Sequence, residues 1–461
     1  MLAFRKTVAY TPAEADKAER NTICSACCTS LGDVPFCDAA IIIIYANMLG
    51  ADEMVSMITT SLSPLAIGLV GLWSTMLAGR QNYQKTILQA TATSLILFAF
   101  IVLAPFFGSW SVGVLLIALT LYSVCNTFYI SAWFPLLSSF LTPQRRSFYL
   151  GKMRFSWQLS SASFLFIIGL IIGKNPPVHY IQYVMFISLL IYACRMFFIA
   201  SVPTFEQTAE IPSRKFSFKE GLQKALENKP LTGFSVYTFV LNLAAYGTVP
   251  LVTLYLKKAL DAPDNVIVLL SSVTLCGMLT GSLFAGKMLK SMGTKKVLLL
   301  IHITFAVVNF LLFILGRDLL PMPALYTVIG ALLFTDSFML ACSDIASSSE
   351  MMKLATPGNT MVAMAFFNSF NYSGRGISRL LSSLILGSGA LALYWNFGGM
   401  TITHYQTLFL VYALFVMFAG TLLVVVPAIF PHGEFVYREE GNDQNGGSSM
   451  RLPDEASNSS H

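Results

Sequence analysis

Six ionisable side chains stand inside stretches of sequence that are otherwise too apolar for water. Asp33 and Asp38 lie in CTSLGDVPFCDAAIIII, Asp336 and Asp344 in FTDSFMLACSDIASS, and Arg375 and Arg379 in NYSGRGISRLL. A charge in a hydrocarbon environment is costly enough that each of these residues has either a partner or a task. A buried carboxylate can take up and release a proton as its surroundings change, or it can neutralise a buried cation. Both roles stand open for Asp33, Asp38, Asp336 and Asp344. Guanidinium forks bind carboxylates and phosphates bidentately. Arg375 and Arg379, four residues apart, share a helix face. Their anions are either protein carboxylates such as Asp336 and Asp33, in structural or gating pairs, or an anionic group on a bound small molecule.

Helical geometry refines these roles. Asp33 and Asp38 are separated by about 140° round a helix, so one is expected to face a cavity and the other a neighbouring helix. Pro35 between them is expected to bend the helix and free a carbonyl. Asp344 lies about 12 Å beyond Asp336 along the axis and roughly 80° round it.

The elements that must position these groups follow from composition. The 461 residues are 55% hydrophobic and 11% charged, with a mean hydropathy of +0.67, which excludes a water-soluble globular class. A helix needs roughly 20 apolar residues to cross a hydrocarbon core about 30 Å thick. Twelve such stretches are legible, at 23–48, 54–78, 86–105, 112–140, 150–173, 181–202, 231–256, 266–286, 296–315, 324–349, 362–386 and 407–429. The predicted fold class is an all-α integral membrane protein with twelve transmembrane helices, partnered by the lipid bilayer. Of the 29 Lys and Arg residues, 22 fall on the side of the N-terminus and four on the other, leaving Arg195, Arg375 and Arg379 within spans. Positive charge marks the cytoplasmic side, so both termini are expected there, in the plasma membrane. The net charge of +6 then needs no nucleic acid. The first twenty residues are polar, so the first span is expected to act as its own signal anchor.

Several chemistries are disfavoured. Cys24, Cys27, Cys28 and Cys37 read as small apolar residues of the first span rather than a metal or disulfide site, and no matching His or Cys pair stands elsewhere. No phosphate-binding Gly-x-x-x-x-Gly-Lys-Ser/Thr loop is present. With five His in all and no nucleophile–base pairing in the spans, an enzyme is not expected. No cofactor is implied. Gly277 with Gly281, and Gly169 with Gly173, form small-x-x-x-small pairs suited to close helix packing. Trp133, Trp157 and Tyr246 could stack on an organic ring, but lipid-facing packing accounts for most of the aromatic residues better.

The chain also repeats itself. LAGRQNYQKTIL (77–88) and GKMLKSMGTKKVLLL (286–300) follow the second and eighth stretches, and FLTPQRRSFYLG (140–151) and KLATPGNTMVAM (353–364) the fourth and tenth. Aligning Asn82 with Gly293 gives an offset of 211, and Thr142-Pro143 with Thr356-Pro357 an offset of 214. A duplicated six-span unit is the expected organisation: a tail at 1–21, a bundle at 22–203, a cytoplasmic loop with a short amphipathic helix at 204–230, a second bundle at 231–430, and a polar, disordered tail at 431–461.

In this layout the chain resembles the major facilitator superfamily. The loop after the second and eighth spans is similar to the family's Gly-x-x-x-Asp-Arg-x-Gly-Arg-Lys. The second copy keeps Gly286, Gly293, Lys295 and Lys296, and the first keeps Arg80 and Lys85. Both lack the Asp, with Gly79 and Lys290 in its place. TPQRRSFYLGKM, with Arg145 and Arg146, looks like the family's Pro-x-x-Arg-x-x-x-x-Gly pattern. The resemblance implies a monomeric secondary transporter that carries a small solute by alternating access, coupled to protons or sodium, or else a uniporter. It also implies cytoplasmic gate loops at Arg80, Lys85, Arg145, Arg146, Gly293, Lys295 and Lys296, and cavity-facing positions for Asn126 and Asn242, where hydrogen bonding to a solute or to a neighbouring helix are equal readings. The mixed charges at mid-depth favour a charged or zwitterionic solute. The fifth span lacks the Gly-Pro pair of many drug/proton antiporters, and the second has no interior acid of the kind used by the sodium-coupled melibiose group. A receptor or scaffold that keeps the fold without transport is the alternative.

Overall fold

The computed structural model describes residues 12–78, 82–141, 143–202, 218–317, 319–355 and 360–425. Arg80, the side chain of Arg146, and most of the two expected tails and central loop lie outside the described residues. Each of the twelve apolar stretches coincides with a helix or a broken helix pair. The first half runs α1 (Pro12–Cys37), α2 (Ala39–Met48), α3 (Glu53–Ala78), α4 (Tyr83–Leu103), a 3-10 segment (Ala104–Trp110), α5 (Ser111–Ser138), α6 (Pro143–Ile171) and α7 (Val178–Ala200). A short helix, α8 (Phe218–Glu227), precedes the second half: α9 (Lys229–Ala245), α10 (Thr248–Leu254), a π-helical turn (Tyr255–Ala259), α11 (Asp264–Met292), α12 (Thr294–Ile314), α13 (Met322–Leu354), α14 (Thr360–Ser388) and α15 (His404–Val425). Between α14 and α15 lies a hairpin of β1 (Tyr394–Phe397) and β2 (Met400–Thr403).

Among the described residues nine stretches are long and apolar enough to span a bilayer by themselves, or ten if bent α1–α2 is one span. One of the nine, Tyr83–Leu137, is 55 residues long and holds both α4 and α5. α14 is too polar to qualify alone, because its serines and two arginines dilute its apolar face.

Two breaks shape the interior. The first span bends by 43° between α1 and α2. There Asp38 takes an extended conformation as the N-cap of α2, and its carboxylate accepts from the Ala40 amide at 2.9 Å. Pro35 one turn earlier cannot donate to the ladder. In the second half α9 stops at Ala245 and α10 starts at Thr248. Pro250 lacks the N–H that would have met the Tyr246 carbonyl four residues back. Equivalent spans of the two repeats are therefore both interrupted near mid-depth.

The duplication is visible in hydrogen bonds as well as in layout. The end of α4 receives the Tyr45 hydroxyl on the Ile101 carbonyl (2.8 Å) and the Gln182 amide on the Val102 carbonyl (3.0 Å). The end of α12 receives the Tyr255 hydroxyl on Leu315 (2.7 Å) and the Gln406 amide on Phe313 (3.0 Å). In each half the first and sixth spans thus supply the partners that a helix C-terminus lacks. The halves meet along α3 against α14 and α6 against α11, contacts that exchange with one another under the repeat.

The apolar core is asymmetric. Away from the end where α1 begins (the tail end), one cluster joins both halves, running from Phe36 and Ile41–Tyr45 through Leu251–Leu256 to Phe409. At the tail end it splits in two. One part, from Ala18 to Val202, is drawn from the first half alone, and the buried members of the other, from Ala225 to Leu423, belong to the second.

Helix contacts are tight where glycines allow them. Any Cβ on Gly277 or Gly281 of α11 would meet the backbone carbonyls of Phe334 or Phe338 on α13, so the first small-residue pair works as expected. The second does not: Gly169 packs on Leu269, but Gly173 has open space and a φ of +81° where α6 ends. Gly281→Val is therefore expected to cost about 1–3 kcal/mol by overpacking, whereas Gly286→Ala, facing open space within α11, should stabilise by about 0.5–1 kcal/mol. Unfolding midpoints in detergent would check both.

Candidate functional site

The charged residues singled out by the sequence fall into two separate clusters and one isolated acid. In the first half, Asp33 accepts from the Tyr122 hydroxyl on Oδ1 and from the Asn126 amide at 3.4 Å on Oδ2. Arg195, on α7, lies within Coulombic reach and is completely buried. Its guanidinium stacks over the rings of Tyr129 (3.9 Å) and Tyr192 (4.3 Å), and Nε donates to Thr91 at 3.1 Å. The two terminal nitrogens of Arg195 have no acceptor among the described residues. Asp33 is thus the anionic member of a cluster internal to the first bundle.

In the second half, Arg375 forms an ion pair with Asp344, whose Oδ1 also accepts from the Tyr246 hydroxyl at 2.9 Å. The expectation that Asp336 or Asp33 would pair with Arg375 is corrected here. Asp344, a little over two turns along α13, reaches it instead, and Asp33 is held within the other half. Arg375 sits over the rings of Tyr246 (4.0 Å) and Tyr372 (4.9 Å). Arg379 crosses between the halves: Nη1 donates to the Thr60 carbonyl of α3 at 2.7 Å, and Nε to the Tyr246 carbonyl at 3.3 Å. That second acceptor is the group which Pro250 leaves without its helical partner. Asp38 faces Ser271 and lies within reach of Arg379. Asn242 donates to the Asn371 side chain at 2.5 Å, the helix-to-helix alternative. Tyr246 therefore serves the polar interior, and Trp133 is buried in the first-half core, so neither is a lipid-facing aromatic.

Asp336 stands apart. It is fully buried, and neither carboxylate oxygen has a hydrogen-bond partner among the described residues. At the far end, Glu53 of α3 meets His404 of α15 at 3.3 Å, and the Ser383 hydroxyl donates to the Met54 carbonyl at 2.6 Å. Both contacts join the two halves.

A model of the Major Facilitator Superfamily matches residues 24–378. The chain belongs to the major facilitator superfamily. Among solved superfamily-like folds, the nucleoside transporter NupG aligns with a TM-score of 0.64 at 14% identity, covering 91% of this chain and 100% of its own. A bacterial homologue of the iron transporter ferroportin in an inward-facing state gives 0.63 at 13% identity, with 88% and 98% covered. A bacterial metal transporter gives 0.57 at 13%, with 88% and 97% covered. Identities this low establish the fold alone. No curated protein matches the chain significantly in sequence.

The superfamily's loop positions lie at the tail end. Asn82 caps α4 by accepting from Gln84 and Lys85 amides. Gly293 joins α11 to α12 with a φ of +77°, a backbone that favours glycine. Lys85 and Lys296 are exposed and Lys295 is half-buried. Arg145 pairs with Asp16 (3.0 Å) and Glu19 (3.4 Å) on α1, so it ties down the first helix within its own half. Membership of a transporter family and this helical architecture make the chain a multi-pass membrane transport protein.

Sequence reasoning passed over Arg195 as a site residue. Its signal was present, since an arginine inside an apolar span needs an anion. It also missed the helix break at Tyr246–Gly247, which Pro250 announces.

Proposed function

We propose that the protein is a secondary transporter, a symporter that moves a small solute by alternating access and draws on a proton gradient, with both termini in the cytoplasm. The observation that carries this reading is the asymmetric core: one apolar cluster joins the halves at the far end, while the tail end has two. Two pseudo-symmetric bundles that share one buried core at one end and keep separate cores at the other have the arrangement that rocking requires. The coupling residue is Asp336. Asp33 faces Arg195, Asp38 caps a helix and Asp344 holds Arg375, whereas Asp336 has no counter-charge among the described residues and can stay in so apolar a place only by carrying a proton or meeting a cation.

The test is flux. Protein in liposomes loaded with a pH-sensitive dye, offered sugars, organic acids, amino acids and nucleosides in turn, should acidify with one class of solute. Solute uptake with no proton movement and a dependence on sodium would replace the proton by sodium. Uptake with neither ion would make it a uniporter, and no uptake of any solute would favour the receptor reading.

Alternating access predicts a second outcome. In a background without the native cysteines, Glu53→Cys and His404→Cys bridged by a short bismaleimide should stop flux, because the far end can no longer open. Unchanged flux in the bridged protein would exclude opening at that end.

A further inference from the structure

The Asp344–Arg375 pair is placed differently from the buried Asp33–Arg195 cluster. The Arg375 side chain keeps 12% exposure and that of Asp344 28%, while Arg195 keeps none. Arg375 is flanked by two tyrosine rings, which fix the plane of its guanidinium, and its Nε has no acceptor among the described residues. Asp344 takes both of its bonds, from Arg375 and from the Tyr246 hydroxyl, on Oδ1. Four residues before Tyr246 and Arg375 respectively, the side chains of Asn242 on α9 and Asn371 on α14 face each other. Arg375 of α14, with Asp344 of α13 and Tyr246 just past the end of α9, forms a charged rung, and Asn242 with Asn371 forms an amide rung about 6 Å away along the axis.

A guanidinium with part of its fork unused, fixed by its flanking rings, is set to receive an oxyanion. Leaving it unpaired in the membrane interior would be costly, and its pairing with Asp344 prevents that. Resting on the transport reading above, the geometry points to a solute whose carboxylate or phosphate group takes the place of Asp344 on Arg375, with a hydrogen-bonding group one helical turn away against Asn242 and Asn371. On exchange, the Tyr246 hydroxyl passes from Asp344 to the incoming anion, and the freed Asp344 turns to its exposed side. Asp344 thus competes with the solute, and removing its charge strengthens binding.

The experiment is ligand-dependent thermal stabilisation of the full chain in detergent. The probes are potassium phosphate, acetate and succinate, compared with potassium chloride at matched ionic strength. Asp344→Asn is expected to bind the recognised oxyanion about tenfold more tightly, as the competing bound state is lost. Arg375→Lys, which keeps the charge but loses the fork, is expected to bind it about tenfold more weakly. Stabilisation by phosphate alone assigns a phosphate-bearing solute, and by acetate or succinate alone a carboxylate. No oxyanion response in Asp344→Asn, or an undiminished one in Arg375→Lys, overturns the proposal. Binding and flux also separate the two readings. Oxyanion binding without flux of any solute sinks transport and leaves this site standing, whereas flux without oxyanion binding does the reverse.

Discussion

Asp336→Asn is expected to reduce solute-driven proton movement to the level of empty liposomes, and Asp336→Leu to make the purified protein more stable than the parent. Both results follow from one geometric fact: a fully buried carboxylate with no partner on either oxygen among the described residues. An unsatisfied buried polar group of this kind costs about 1–3 kcal/mol, more when charged, and an apolar side chain of similar volume removes that cost. A residue retained against stability is a residue retained for a task. The Asn variant keeps shape without a titratable proton, so flux and proton movement can be read on a folded protein. Normal proton coupling in Asp336→Asn would remove the residue from the mechanism, and a less stable Asp336→Leu would mean that the carboxylate has a partner after all.

Arg195→Ala should be the most destabilising substitution of any charged residue, by about 3–5 kcal/mol, because it leaves the Asp33 charge buried without its cation. Asp33→Asn alone should cost a comparable amount, stranding a guanidinium that is already short of acceptors. The double variant Asp33→Asn/Arg195→Gln should be less damaging than the two single costs combined. Unfolding midpoints of the four proteins complete the cycle. Strict additivity would show that the two groups, despite their proximity, do not act as a pair.

How much of this was legible beforehand depends on what each signal measures. Hydropathy located all twelve apolar stretches, because the bilayer constrains length and composition directly. It placed the start of α1 near residue 23, about eleven residues late, since the polar first turns are held by contacts such as Thr22 with Tyr149 and Asp16 with Arg145 rather than by apolarity. The repeat was visible through its loops, and the matched caps of Tyr45 and Tyr255 were not, because one hydroxyl leaves no pattern. In the site, the sequence picked out Asp33, Asp344 and Arg375 but not their pairing. Helical periodicity says how a residue turns about its own axis, while the choice between Asp336 and Asp344 depends on the axial register of α13 against α14. That register is set by side-chain packing and has no local signature.

The hairpin between α14 and α15 offers a practical handle. Its two strands are joined by Gly398 and Gly399, at φ of +58° and +85°, and these two residues are exposed, while Trp395 nearer the base stacks on Phe313. A short epitope inserted at such a tip leaves every helix untouched. Antibody staining of intact versus permeabilised cells then reports sidedness from the end of the bundle opposite the start of α1 and the end of α15.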